Sequence, residues 1–213
     1  MISTVLIGRC NHETTVRFPY YWCEEIIDFA RSAKIKVVDL QSDNFCEEKF
    51  NSQVEEHNPE LILLNGHGNE ICASGHNEEP VLMLNKNDHL LINRTAHVIS
   101  CRTALLLGQL AKDKGCKGYL GYEGLFYIKN LHPEPSIDVF SKHFKNAVNV
   151  ASIALLEGKS VEEAFLKSQE SYNNSINLFK SMYLDQQFSD NQRDFLNGVI
   201  QALEANKLNQ VFI

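Results

Sequence analysis

The sequence predicts an α/β fold with a mostly parallel sheet covered by helices on both faces. Three observations lead there. Short β-branched or apolar runs alternate with stretches of helical periodicity through residues 1–135. The central run, Leu61-Ile-Leu-Leu64, has no polar alternation, as expected of a strand buried on both faces. After the His132-Pro-Glu-Pro135 stretch the pattern becomes wholly helical. Strands alternating with helices are the mark of a parallel sheet with crossover helices.

Each element has its own signal. Residues 2–7 form a β-branched run closed by Gly8, a first strand. Residues 20–33 repeat apolar side chains at helical spacing, residues 35–40 form a second strand, and residues 44–56 a second helix. The buried run at 61–64 ends abruptly in Asn65-Gly66-His67-Gly68-Asn69. Residues 69–92 read as irregular, with a short hairpin around Val81 to Leu84. Residues 96–100 make another strand, running directly into Cys101 and a helix through about Lys114. Residues 116–121 and 125–128 read as two further strands or one bent one. Helices are expected over 136–157, 160–183 and 188–206, the second opening on the capping signature Ser160-Val-Glu-Glu163. The expected division is an α/β core over residues 1–135 and a helical part over 136–213 packed on the same domain.

Composition narrows the function classes. The formal net charge of -7, with no basic run interleaved with aromatics, argues against a nucleic-acid partner. No segment approaches the length of apolar chain that a membrane helix needs, and the apolar start is too short for a signal peptide. A cytoplasmic protein is expected, and its six cysteines, at 10, 23, 46, 72, 101 and 116, are expected as free thiols. Neither a phosphate loop nor a dinucleotide fingerprint is present, and no cofactor or metal is expected.

In parallel sheets functional groups collect beyond the carboxyl ends of the strands. That rule selects Gly8-Arg9-Cys10, residues 65–69, and Ser100-Cys101-Arg102. Two of the three hold a His and a Cys. An imidazole beside a thiol is the usual means of making a thiolate nucleophile, and a following helix favours the same charge. Gly66 and Gly68 flank His67 and open the main chain to a substrate carbonyl. The N–H groups of Gly68 and Cys101 are then candidates for an oxyanion hole.

The segments ELILLNGHGNE (60–70) and AHVISCRTALLLG (96–108) resemble the caspase-like cysteine peptidases, in which one apolar strand ends in His-Gly and the next in Ser-Cys or Ala-Cys. That group spans caspases, metacaspases, clostripain- and gingipain-like enzymes, separase and bacterial CHAT domains. The segment at 115–128 looks like the strand that follows the nucleophile helix in prokaryotic members. The resemblance implies a caspase-like three-layer sandwich and a cysteine endopeptidase acting on a protein or peptide substrate, with Cys101 as nucleophile and His67 as its acid–base partner. Members that cleave after Lys or Arg often carry an acidic residue two positions before the nucleophile; here that position is Ile99. Arg9 resembles in position the arginine with which caspases read an acidic side chain, Glu123 points to the opposite preference, and Ser100 is a further pocket candidate; the pocket preference stays open.

Two other readings compete. One is a catalytically silent caspase-like module used for protein association. The other is a zinc-binding domain using His67, Cys72 and His76 in the pattern H-x4-C-x3-H, with Cys101 as a fourth ligand. Asn65 is the one neighbour that suggests itself as an orienting group for His67, and no third residue is assigned.

Overall fold

The first strand, β1 (Thr4–Arg9), is buried along its whole length. In the computed structural model, which describes residues 2–185 and 187–213, Val5 and Ile7 of β1 face one helical layer and Leu6 faces the other. α1 (Thr14–Ser32) leads to β2 (Lys36–Gln41), and α2 (Glu47–His57) to β3 (Leu61–Asn65). A hairpin of β4 (Cys72–Ser74) and β5 (Pro80–Met83) precedes β6 (Thr95–Ile99). A π-helical turn over 104–108 runs into α3 (Gln109–Asp113), followed by β7 (Gly118–Tyr122). α4 (Ser141–Leu156), α5 (Val161–Tyr183), α6 (Asp190–Asn209) and β8 (Gln210–Phe212) complete the chain.

Six strands form one sheet in the order β2-β1-β3-β6-β7-β8, parallel except for β8. Leu61 and Leu63 of β3 join Val5 and Ile7 against α1, α4 and α5, whereas Ile62 and Leu64 join Leu6 against α2 and the helix after β6. This double burial explains why the strands read as continuous apolar runs. The result is a three-layer α/β sandwich with C-terminal helices, the arrangement expected of a caspase-like fold. A third apolar cluster, with Phe18, Trp22, Phe144, Tyr172, Phe179 and Leu203, ties α1, α4, α5 and α6 together. No helix among the described residues is long and apolar enough to cross a membrane.

Several boundaries differ from expectation for local reasons. α1 begins at Thr14 and carries Pro19 inside it. The ring removes one helical donor, but the buried face of Val16, Phe18, Trp22, Cys23, Ile26 and Ala30 holds the segment helical. α4 begins only at Ser141, because the Asp138 carboxylate gathers the N–H groups of Leu131, His132 and Ser141 into a loop before it. The capping box at Ser160 and Glu163 forms as expected, and a second one, Ser189 with Gln192, opens α6.

The expected strand at 125–128 does not join the sheet. That place beside β7 is taken by β8, which the polar Asn209-Gln210 sequence does not announce. Residues 125–128 instead run irregularly along α6, where the Asn206 side chain acts as a substitute strand. Its Oδ1 accepts from the Tyr127 N–H and its Nδ2 donates to the Tyr127 carbonyl, both at 2.7 Å.

His97 gives the fold a pH signature. It is 0% exposed on β6, with Nδ1 at 2.9 Å from the Ser152 hydroxyl on α4. Burial pushes its pKa down from 6.5 to about 3. Across that window the unfolded chain binds the extra proton and the folded one does not, so stability rises with pH there and falls on acidification. The denaturation midpoint should therefore drop between pH about 6.5 and about 4, and His97→Gln should flatten that slope by close to one proton. Equal slopes for variant and wild type would refute this assignment.

Candidate active site

β3 and β6 pair in a register that sets Asn65 opposite Ile99. The chain leaves both strands at one level, and His67 and Cys101 each stand two residues beyond that pair. Together they line a cavity of about 210 Å³ at the carboxyl edge of the sheet. The loop after β1 reaches the same edge. β2 and β3 lie on opposite sides of β1, so the strand order reverses there, which is where open α/β sheets bind ligands.

That loop supplies the orienting group for the imidazole. His67 Nε2 lies 2.5 Å from Glu13 Oε1. Glu13 also accepts a hydrogen bond from the Thr15 hydroxyl. This bond and the imidazole outweigh burial and hold the Glu13 carboxyl below the usual carboxylate range. An ionised carboxylate at Nε2 keeps the ring proton there and leaves the Nδ1 lone pair as the basic one. Sequence reasoning missed Glu13; the available signal was an acidic residue in the loop after the first strand. Asn65 has another task, because its buried amide donates to Cys23 Sγ at 2.7 Å and anchors the end of β3 to α1.

Cys101 is half-buried, and its sulfur accepts the Phe126 N–H at 3.3 Å. A negative charge forming on the sulfur therefore meets a main-chain donor. The helix does not start at Cys101 as the sequence suggests. Residues 101–103 form a turn with Arg102 at φ 61, and the helical run starts at Ala104. A left-handed non-glycine residue costs about 1–2 kcal/mol, offset by bonds from the Arg102 N–H to the Gly124 carbonyl and from its guanidinium to Glu70.

Gly68 lies close against the loop after β6. A Cβ on it would lie 2.8 Å from side-chain carbons of both Ser100 and Thr103 and 3.0 Å from the Cys72 carbonyl. Neither the Gly68 N–H nor the Cys101 N–H donates to a carbonyl among the described residues. Cys101 lines the cavity, whereas Gly68 is not among the described residues that do. Ser100 also lines the cavity; it is 2% exposed and its hydroxyl has no protein partner among the described residues.

Three expectations are corrected. Arg9 does not reach the cavity: it is 3% exposed, forked onto Asp39 at 2.9 and 2.7 Å, and paired with Glu24 at 2.5 Å. Four hydrogen bonds to three partners, counting the Tyr20 carbonyl, occupy four of its five N–H donors away from the cavity wall. Glu123 is exposed in the turn after β7, outside the cavity wall, with its N–H bound to the Asn209 carbonyl. The zinc set His67, Cys72 and His76 does not converge. Cys72 is buried beside the Ser74 hydroxyl, and His76 pairs with Asp43 at 2.8 Å. The donor atoms that do converge are those of His12, Glu13, His67 and Glu78, all within 4.8 Å of one another.

No protein-family model and no curated protein matches this chain. The chemistry must be read from the rim itself. The cavity walls are apolar on the sides formed by Val16, Phe18, Pro19, Ile99, Phe126 and Ile128, with Thr14, Thr15 and Asn130 as polar rim. Of the other rim thiols, Cys10 is fully enclosed, and burial pushes it up to about 12. Cys101 is the thiol that opens onto the cavity.

The strap carrying Phe126 depends on Asn206, which is 0% exposed. Asn206→Ala removes both bonds to the Tyr127 main chain, a loss of about 0.5–1.5 kcal/mol for each. Hydrogen exchange should show the amides of Phe126 and Tyr127 opening while those of β3 and β6 keep their protection. Unchanged exchange at Tyr127 would show that Asn206 does not hold the strap.

Proposed function

We propose that the protein is a cysteine endopeptidase of the caspase-like type, with Cys101 as nucleophile and His67 as base and then acid. The observation that carries the reading is the convergence of Cys101 and His67, from adjacent parallel strands in matched register, on one cavity. The resemblance of residues 60–70 and 96–108 to that family agrees with it.

The residues suit the steps. With Nε2–H held by Glu13, the Nδ1 lone pair of His67 takes the thiol proton, and the thiolate attacks the peptide carbonyl. The new oxyanion receives the N–H groups of Gly68 and Cys101. The imidazolium, steadied by the Glu13 carboxylate, gives its proton to the departing amine as the C–N bond breaks and a thioester forms. Water, deprotonated by the same ring, then cleaves the thioester to release the carboxylic acid and the thiol. The six free cysteines suit a reducing compartment, so we place the activity in the cytoplasm.

The cavity bears on the substrate. With apolar walls and no Lys, Arg, Asp or Glu among the described residues that line it, it suits an uncharged, apolar side chain next to the scissile bond. The unpartnered Ser100 hydroxyl is available to the substrate main chain.

A thiol-directed activity-based probe should label Cys101, and labelling should vanish in Cys101→Ala. His67→Ala and Glu13→Gln should each lower kcat, by about 10²–10⁴-fold, the usual contribution of a positioned acid–base group. Labelling of another cysteine with none at Cys101 would favour a silent association module. In peptide-library profiling, Leu, Met or Phe before the cleaved bond should be preferred over Lys, Arg or Asp. A strong preference for a charged residue would show that this cavity does not receive that side chain.

A further inference from the structure

Four donors meet beside the candidate dyad. His12 and Glu13 come from the loop after β1, His67 from the loop after β3, and Glu78 from the turn before β5, with all four donor atoms within 4.8 Å of one another. Two imidazoles and two carboxylates make an N2O2 set suited to Zn²⁺. Bonds of about 2.0–2.2 Å to a tetrahedral Zn²⁺ place ligand atoms about 3.3–3.6 Å apart. A contraction of at most about 1.2–1.5 Å for any pair therefore closes the set.

An independent observation points to a ligand. Both ring nitrogens of His12 are shut off from solvent and have no hydrogen-bond partner among the described residues. The His12 ring is packed edge-on between His67 and His76, with centroids 6.1 and 5.3 Å away. Burial, and the two neighbouring imidazoles together, hold its pKa below the ordinary histidine value. A half-buried imidazole whose two nitrogens both lack a partner, set beside two carboxylates, has the geometry of a ligand waiting for a cation.

We propose that His12, Glu13, His67 and Glu78 form a zinc site that, when filled, withdraws His67 from Cys101 and holds the thiol unreactive. Zn²⁺ at His67 Nε2 takes the lone pair there and moves the ring proton to Nδ1, with no net proton released. Glu13 changes from hydrogen-bond acceptor to ligand. The ring then has no free lone pair for the thiol proton. The binding claim stands on geometry alone; the effect on Cys101 rests on the dyad proposed above.

The experiment uses the full-length, reduced, chelator-stripped protein. Competition with a chromophoric chelator should show one Zn²⁺ bound, with affinity falling at least about tenfold in His12→Ala and in Glu78→Gln. Cys101→Ser and Cys72→Ser should bind as wild type does. Co²⁺ should give visible d–d bands without a sulfur-to-cobalt charge-transfer band. Absence of binding, wild-type affinity in both His12→Ala and Glu78→Gln, or a sulfur band would each overturn the site. Zn²⁺ should slow iodoacetamide labelling of Cys101 in wild type and not in Glu78→Gln; equal slowing in both would overturn the switch. His67→Ala labelling as fast as metal-free wild type would instead refute the dyad and leave the binding result intact.

Discussion

The parallel pairing of β3 with β6, in the register that opposes Asn65 to Ile99, is the constraint on which the rest of the rim depends. Side chains on a strand alternate faces, so a one-residue slip would turn the apolar set of a doubly buried strand inside out and carry one rim loop past the other. The register is fixed by burial on both sides: Leu61 and Leu63 are committed to one helical layer, Ile62 and Leu64 to the other. At the strand ends two close approaches secure it. Gly68 abuts Ser100 and Thr103, and the Gly66 N–H continues the ladder to the Ile99 carbonyl at 3.4 Å.

The helical part of the chain bears on the same rim. α6 contributes no residue to the cavity, yet through Asn206 it holds the strap that presents the Phe126 N–H to the Cys101 sulfur. β8, continuous with α6, closes the sheet beside β7, and Asn209, the last residue of α6, accepts the Glu123 N–H at its carbonyl. Residues after 190 thus fix a contact to a sulfur at 101 with no direct contact of their own. Asn206 owes its effect to geometry. A side-chain amide offers one donor and one acceptor at the spacing of a peptide group, so it completes a backbone that the sheet leaves unpaired.

Much of this was legible in the sequence, and what was not has definite physical reasons. Doubly buried strands announce themselves as unbroken apolar runs, and Leu61 to Leu64 did so without ambiguity. His67 and Cys101 were legible because the carboxyl-edge rule turns two distant loops into neighbours. Arg9 misled, because its place at the end of β1 resembles that of a specificity residue, whereas Asp39 and Glu24 lie on elements whose side-chain directions no local pattern reveals. Glu13 went unseen for the same reason in reverse: an exposed-looking acid in a loop gains its meaning only from the imidazole it meets. Residues 125–128 carry the composition of a strand, but tertiary competition from β8 decided their fate.

In the two proposals above, one group serves two opposed ends. A carboxylate that makes an imidazole a better base does so by placing negative charge beside it, and the same charge attracts a cation to the same nitrogen. Evolving one property brings the other unless the approach is blocked. Here the approach is furnished: Asn77 and Glu78 both adopt left-handed backbone angles, φ 52 and 63, in the turn that brings Glu78 toward Glu13 and His12. Two adjacent non-glycine residues in that region are uncommon and costly. The turn is retained against that cost by the bonds from the Glu79 N–H to the His76 carbonyl and from the His76 N–H to the Phe45 carbonyl. In the zinc site proposed above, Glu78 is the exposed ligand on that strained turn, and so the one most easily withdrawn when the cation leaves.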